Sequence, residues 1–322
     1  MDKIILDTDP GVDDGMAIQL ALNSPELEIL GLTTVFGNAS VDRTTINALR
    51  LLEIANRTEI PVCKGAAKPL ERKFRGGVPN VHGEDGQGNI WHSPGRLSPY
   101  PRLAYEFMAE KIKSFPNEIT IVAIGPLTNL AILLKENEGI SKLVKEIVFM
   151  GGNAFCSGNA TPVAEANVLS DPEAADIVLG ADWKVNMVGL DVTHKVLMQS
   201  VQLDRIAKNK NRLNRYVSST FHFYRNFFKE VNKIDGIYVH DSTALVYLLK
   251  RELFKIKSYP IRVEATNSIS LGKTWPSIGE SDHEQGEELF PWRNRPKIDI
   301  CLSVDSDTVL KIIEERLTGK VV

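Results

Sequence analysis

The stretch Ile4-Ile5-Leu6-Asp7-Thr8-Asp9-Pro10-Gly11-Val12-Asp13-Asp14-Gly15 decides how the rest of the chain is read. Its apolar start has the character of a buried strand, and the following Met16-Ala17-Ile18-Gln19-Leu20-Ala21-Leu22 has that of a helix packed on a sheet. Pro10-Gly11 turns the chain between them. Asp7 and Asp9 then share one face of the strand by its two-residue period, while Asp13 and Asp14 sit at the helix mouth, where the dipole and free amides favour anions. A simple cap needs one carboxylate, whereas four within eight positions repel one another unless something positive holds them. Donors that are all oxygen suit a hard ion, Ca²⁺ or Mg²⁺. The cluster falls where a strand ends and a helix begins, at the carboxyl edge of an α/β sheet, which is where such sheets bind ligands.

Working outward, apolar β-branched segments recur at Ile29 to Val35, Ile119 to Ile124, Glu146 to Met150 and Val185 to Gly189, with helices indicated at Val41 to Ala55 and Leu127 to Lys135. This alternation predicts an α/β fold: a mostly parallel central sheet in a Rossmann-like open arrangement, with helices on both faces. Asp204 to Leu249 is dominantly helical and supplies a helical elaboration in the C-terminal half; Ile261 to Ser268 and Ile298 to Ser303 read as late strands before a closing helix through Leu317. Lys73 to Pro101 and Gly151 to Pro162 are Gly/Pro-rich and polar, loops at the functional edge. No Ser/Gly-rich linker or internal repeat divides the chain, so residues 1–322 are read as a single domain.

Composition narrows the function. With 322 residues, 43% of them hydrophobic and 25% charged, the chain can bury a large core, which excludes disorder as its main state. A formal net charge of -3 and the lack of a Lys/Arg block argue against nucleic acid as a partner. No apolar run reaches the roughly 18 residues of a membrane span and no targeting segment opens the sequence, so the expectation is a cytoplasmic protein without membrane attachment. Cys63, Cys156 and Cys301 lack disulfide or zinc spacing and are expected to be small buried hydrophobes.

Further constellations carry chemistry. Tyr238-Val239-His240-Asp241-Ser242 places an imidazole and a carboxylate where a loop enters a helix, suited to metal ligation by Asp241 and proton transfer by His240, though a packed surface histidine reads the same way in isolation. Beyond the strand ending at Met150 come Gly151-Gly152-Asn153, Gly158-Asn159-Ala160 and Glu165-Ala166-Asn167. Such amides and a carboxylate can bridge vicinal hydroxyls, as a ribose demands, and equally can build turns. Gly37-Asn38 and Val81-His82-Gly83-Glu84-Asp85-Gly86 have the same strand-end or loop character, His82 suiting either a site or loop support.

Together, Asp7-Thr8-Asp9-Pro10-Gly11-Val12-Asp13-Asp14, Gly37-Asn38, His82-Gly83, Gly125-Pro126-Leu127-Thr128-Asn129, Met150-Gly151-Gly152, Glu165-Ala166-Asn167, Asp171-Pro172-Glu173-Ala174-Ala175 and His240-Asp241 resemble the inosine-uridine-preferring nucleoside hydrolases over nearly the whole chain. Pro25 to Asn38 looks especially like the plant-type uridine-preferring members. The resemblance implies hydrolysis of the N-glycosidic bond of ribonucleosides to ribose and free base by a calcium-activated water, with uridine and inosine the first candidates, and a homodimer or homotetramer. It implies that Asp9, Asp14, Asp241 and the main-chain carbonyl of Ile124 bind Ca²⁺, and that Asp9 also takes the proton of the water. Asp13 would hold the ribose 2′-hydroxyl, Asn167 the 3′-hydroxyl, and Asn159 with Glu165 the 5′ side, while Asn38 helps fix ribose and metal. His240 matches the leaving-base histidine, and Asp7 and His82 are supporting residues. Tyr224, Phe228 and Tyr238 lie in the region expected to meet the base, at least one of them as helix packing. Ala166 and Ser242 depart from the family pattern, which bears on pocket shape and base preference.

Three other readings compete: a purine-preferring hydrolase, a catalytically silent nucleoside-binding protein, and a phosphatase of the haloacid dehalogenase type, which Asp7-Thr8-Asp9 also resembles. Continuation by Pro10-Gly11-Val12-Asp13-Asp14 argues against the last.

Overall fold

The computed structural model describes residues 1–92, 95–278 and 291–319. Its strands are β1 (Asp2–Thr8), β2 (Leu27–Thr34), β3 (Val62–Lys64), β4 (Ile119–Ala123), β5 (Glu146–Met150), β6 (Val185–Val188), β7 (Leu197–Gln199), β8 (Gly236–Tyr238), β9 (Phe254–Val263), β10 (Thr274–Pro276) and β11 (Lys297–Val304). Its helices are α1 (Val12–Leu22), α2 (Val41–Ile54), α3 (Pro79–His82), α4 (Ala104–Ser114), α5 (Thr128–Glu136), α6 (Ala166–Ser170), α7 (Pro172–Leu179), α8 (Leu190–Thr193), α9 (Ser200–Ala207), α10 (Arg212–Phe227), α11 (His240–Leu249) and α12 (Ser306–Thr318).

Nine strands form one sheet in the order β10-β9-β11-β6-β5-β4-β1-β2-β3. Pairing is parallel from β3 through β11, and antiparallel only where β11 meets β9 and β9 meets β10. The expected α/β architecture, a mostly parallel sheet between helices, is therefore present. The two-residue period sorts the strand side chains into two cores: Ile4, Leu6, Val122, Val148 and Met150 on one face, Ile5, Ile121, Ala123, Ile147 and Phe149 on the other. Helix α1 is buried from Val12 through Ala21, wedged between the sheet and α10, α11 and α12, which explains why its apolar residues follow no single stripe.

The late region differs from the expected elements. Strand β9 covers Phe254–Val263 rather than Ile261 to Ser268. Its exposed Lys255, Lys257 and Ser258 mask the apolar pattern, and the chain turns after Val263, where Gly272 N–H returns to the Glu264 carbonyl. The helical elaboration of α9, α10 and α11 is interrupted by β8, which pairs with β7. The Lys73 to Pro101 loop contains α3, and its residues 93 and 94 lie outside those described. All three cysteines are free; Cys63 and Cys301 are buried as expected, whereas Cys156 is half-buried. Among the described residues no helix is long and apolar enough to cross a membrane.

Candidate active site

Strand β1 lies between β2 and β4, so the chain leaves it on one side through α1 and returns on the other at β4. This reversal opens a crevice at the carboxyl ends of β1 and β4, the ligand-binding position of an open α/β sheet. The acidic cluster stands in it. Asp9 follows the last residue of β1, and Ile124 N–H donates to the Asp7 carbonyl at 2.8 Å, bringing Gly125 alongside.

Close backbone approach holds Asp9 and Asp14. Asn38 N–H donates to Asp9 Oδ2 at 2.7 Å, and the Asn38 amide donates to the Asp9 carbonyl at 3.2 Å and to Asp14 Oδ2 at 3.0 Å. A Cβ at Gly125 would stand 2.6 Å from Asp9 Oδ1, and one at Gly37 would collide with Asp9 Oδ2. Asp14 also accepts from Thr8 Oγ1 at 2.6 Å and Gly11 N–H at 2.9 Å. Asp13 accepts the Tyr224 hydroxyl on Oδ2 at 3.2 Å. Asp7 is turned elsewhere: Oδ1 accepts from Thr33 Oγ1 at 2.6 Å and Asn129 Nδ2 at 2.8 Å, so its support reaches the cluster only through the strand ends.

The donor set fits a cation. Asp7, Asp9, Asp13, Asp14 and Asp241 are all buried; Asp13 and Asp241 border a cavity that no Lys or Arg lines among the described residues. Burial raises every one of these carboxyls, and repulsion between the neighbouring aspartates adds to the rise at Asp9, Asp14 and Asp241; Asp7 reaches about 7. Asp9 Oδ1 and Asp13 Oδ1 are buried with no hydrogen-bond partner among the described residues. One carboxylate oxygen from each of Asp13, Asp14 and Asp241 lies within 4.8 Å of the other two. Oxygens on opposite sides of a calcium ion at its usual bond lengths stand about 5 Å apart, so that spacing is compatible with one divalent ion. Asp9, named with Asp14, Asp241 and Ile124 as a ligand, lies beside this trio; Asp13, named for ribose, lies within it.

The cavity has a volume of ≈ 360 Å³, and Asp13, Asn38, His82, Ile124, Asn159, Glu165, Asn167, His240 and Asp241 all border it. Residues from distant parts of the sequence thus converge. Asn167 Nδ2 donates to the carbonyls of Ile124 at 3.1 Å and Met150 at 3.0 Å, bridging the ends of β4 and β5. Glu165 caps α6, taking the N–H groups of Asn167 and Val168, and also holds Gly152 N–H at 2.9 Å. Asn159 Oδ1 accepts from Ala166 N–H at 3.0 Å. Asp171 of the family motif serves structure: it caps α7 and accepts from Thr128 Oγ1 at 2.7 Å.

At the other end of the cavity, His240 Nδ1 is 2.8 Å from Thr193 Oγ1, and burial, reinforced by His194 and His82, pushes its pKa down to about 3. The ring is neutral at neutral pH. His82 Nδ1 accepts Val12 N–H at 3.1 Å, and burial holds it at about 4. It stacks on Tyr224 with ring centroids 5.2 Å apart. Tyr224, Phe228 and Tyr238 all border the cavity, as do Val78, Val81, Phe227 and Val231, which form an apolar end. Ser242 Oγ is buried with no hydrogen-bond partner among the described residues, and Ala166 lines the cavity as a small neighbour of Asn159.

His194 was not foreseen. It borders the cavity 5.7 Å from the His240 ring and 5.0 Å from Tyr238 by centroid. Its signal was positional: it follows β6, at the same sheet edge as every other site residue. A larger concavity of ≈ 500 Å³ between α9 and α12 has no such convergence, and its Arg205 and Glu314 pair with each other.

A carboxylate cluster at the switch point of a parallel sheet, able to coordinate a divalent cation and joined to an amide-lined cavity the size of a small polar ligand, defines an α/β enzyme site for a small polar substrate. The family described as "Inosine-uridine preferring nucleoside hydrolase" matches residues 4–311. The chain is 40% identical over 316 residues to "Probable uridine nucleosidase 2" of Arabidopsis thaliana, covering 98% of this chain and 97% of the relative. It is 36% identical over 315 residues to "Pyrimidine-specific ribonucleoside hydrolase RihA" of Salmonella arizonae, covering 98% and 97%. A solved "Plant nucleoside hydrolase - PpNRh1 enzyme" superposes with a TM-score of 0.95 at 36% identity, covering 98% of this chain and 99% of that one. The chain belongs to the inosine-uridine preferring nucleoside hydrolase family, and it is an N-ribosyl hydrolase of ribonucleosides.

Proposed function

We propose that this enzyme hydrolyses pyrimidine ribonucleosides, uridine foremost, and that Ca²⁺ is its metal, held by Asp9, Asp14, Asp241 and the Ile124 carbonyl. The observation that carries the reading is the pair of partnerless buried oxygens, Asp9 Oδ1 and Asp13 Oδ1, beside the Asp14 and Asp241 carboxylates. When bound, calcium would neutralise this charge, orient the vicinal diol of the ribose and acidify water. The plant uridine nucleosidase and the pyrimidine-specific enzyme among the relatives support the base preference.

The chain's own groups divide the work. Asp13 Oδ1 accepts the 2′-hydroxyl, Asn167 meets the 3′-hydroxyl, and Asn159 with Glu165 faces the 5′ side. As the glycosidic bond lengthens, positive charge develops on the ribose and the surrounding carboxylates stabilise it. Asp9 Oδ1 takes the proton of the attacking water. In the tautomer in which the Thr193 hydroxyl donates to Nδ1, neutral His240 carries its proton on Nε2 and donates a hydrogen bond to the electron-rich base.

Ribose release from uridine, cytidine, inosine, adenosine and their 2′-deoxy forms tests the reading. Uridine should be fastest, and deoxyuridine slower by at least about 10²-fold, because the 2′-hydroxyl is the partner of a buried carboxylate. Equal rates with ribo- and deoxyribonucleosides would overturn it.

A further inference from the structure

Lys273 is the one lysine buried among the described residues, and it does not border the active-site cavity. It precedes β10, and the hydrogen bonds of its ammonium go to backbone: Nζ donates to the carbonyls of Asn153 at 2.6 Å, Ala154 at 3.4 Å and Cys156 at 3.5 Å, and it lies over the Trp275 ring, 5.7 Å from the centroid. No carboxylate among the described residues forms an ion pair with it. From the other side, Asp191 of α8 accepts the N–H groups of Ala154 at 2.7 Å and Phe155 at 2.8 Å. One turn is therefore gripped by a cation on its carbonyls and an anion on its amides, and charge-assisted hydrogen bonds of this kind are the strong ones. Thr274 Oγ1 adds a bond from Asn153 N–H at 2.9 Å.

That turn anchors the loop that carries the sugar-facing residues. Asn153 Nδ2 donates to the carbonyls of Cys156 at 2.9 Å and Val163 at 3.0 Å, and Gly158 and Ala160 pair back to Pro162 and Ala164. Asn159 and Glu165 stand on this framework, Glu165 tied to Gly152 beside the gripped turn. A buried ammonium is costly to desolvate, so an uncharged residue of the same length would serve if only shape were needed.

We infer that Lys273 is a positioning residue for the sugar end of the substrate: its ammonium fixes the turn at 153–156 so that Asn159 and Glu165 meet the nucleoside 5′-hydroxyl. The inference rests on the proposed hydrolysis of ribonucleosides. Lys273 acts only through the loop, so its influence falls chiefly on substrates that own the group the loop reads, the Glu165 bond to Asn167 N–H being a lesser route to the rest of the ribose site.

The test compares uridine with 5′-deoxyuridine on the calcium-loaded enzyme. Lys273→Met should lower kcat/KM for uridine by about 10–100-fold, the range expected of a misplaced binding group, while 5′-deoxyuridine changes by less than about 2-fold. In Lys273→Ala, methylammonium should restore uridine turnover in a concentration-dependent way, and tetramethylammonium, which has no N–H, should not. Thr274→Val keeps the lysine and removes the Asn153 N–H acceptor, so it should show the same selectivity at smaller size even if the lysine variants fail to fold. Equal losses on both substrates, no loss on either, or a parent enzyme that treats the two alike would overturn the inference while leaving ribonucleoside hydrolysis intact. Absence of ribose release from every ribonucleoside by the parent enzyme would instead overturn the functional reading, and the inference with it.

Discussion

The Tyr224 hydroxyl donates to Asp13 Oδ2 across 3.2 Å, tying the end of α10 to the mouth of α1 over 211 positions of sequence. The same ring stacks on His82, whose Nδ1 holds Val12 N–H. Tyr224 thus holds Asp13 Oδ2, while Oδ1, with His82 Nδ1 3.9 Å away, has no hydrogen-bond partner among the described residues. Tyr224→Phe should cost roughly 10–100-fold in kcat/KM for uridine, since a hydrogen bond to an ionised acceptor contributes about 1.5–3 kcal/mol. Steady-state kinetics check this, and unchanged kcat/KM would show that Asp13 needs no such orientation.

Chelation should abolish ribose release and lower Tm, and added calcium should restore both. An ion that binds only the folded chain stabilises it by about 2.7 kcal/mol at a hundredfold excess over Kd, so the shift is readable by thermal unfolding. Asp241→Asn should lose most of the calcium-dependent shift while the metal-free protein melts no earlier than the parent, because the substitution relieves repulsion among buried carboxylates. A full calcium shift in that variant would remove Asp241 from the metal site.

Two glycines separate crowding at the site from glycine chemistry in general. At Gly125 a Cβ would meet Asp9 Oδ1 at 2.6 Å, and Gly125→Ala should displace Asp9 and reduce turnover by about 10²-fold or more. At Gly15, within α1, the nearest atom to a Cβ is 3.7 Å away, and Gly15→Ala should leave turnover unchanged and add up to about 1 kcal/mol of stability. Parallel assays with unfolding curves decide both, and an active Gly125→Ala enzyme would refute the central position given to Asp9.

Acid should weaken the fold through His82. Burial holds its pKa near 4 against an ordinary value of 6.5, so as pH falls through that window the unfolded chain takes up the proton first. The stability associated with the neutral ring is complete above pH 6.5 and declines toward pH 4, by up to about 3 kcal/mol. His82→Asn has no such titration. Urea unfolding of the two proteins at several pH values should give converging stabilities toward pH 4, and parallel pH slopes would exclude His82 as the source.

Thr193→Val removes the partner of His240 Nδ1 and frees the ring to choose its tautomer. Uridine turnover should fall by about 10-fold, while a 4-nitrophenyl riboside, whose leaving group departs without a proton, should be hydrolysed at nearly the parental rate. The same loss on both substrates would mean that Thr193 supports the fold rather than base departure.

The central strands β4 and β5 of the parallel sheet were legible because they are buried on both faces. Ile119–Ala123 and Glu146–Met150 are buried at every position, and apart from Thr120 and Glu146 their residues are apolar. Strand β9 was misplaced for the opposite reason: it lies beside the sheet's antiparallel edge, and its exposed residues carry charges that read as loop. Strands β3, β7, β8 and β10 have three residues each, too few for any period to register.

By itself, the sequence determined where the acidic cluster stands, at the carboxyl edge of the sheet. Asp7 to Asp14 runs from the end of a strand into a helix, and the residue types at Asn38, His82, Asn159, Glu165, Asn167, His240 and Asp241 carry donors and acceptors wherever the fold puts them. Only the tertiary structure decided which of these meet. Asp13, not Asp9, shares a 4.8 Å cluster with Asp14 and Asp241; Asp7 turns to Thr33 and Asn129; Asp191 and Lys273, ordinary charges in the sequence, grip one turn from opposite sides. The physical reason is range. Strand and helix periods act over a few residues, whereas the orientation of a buried charge is set by whichever backbone N–H, carbonyl or hydroxyl the packed chain brings within 3 Å or so, often from a hundred residues away.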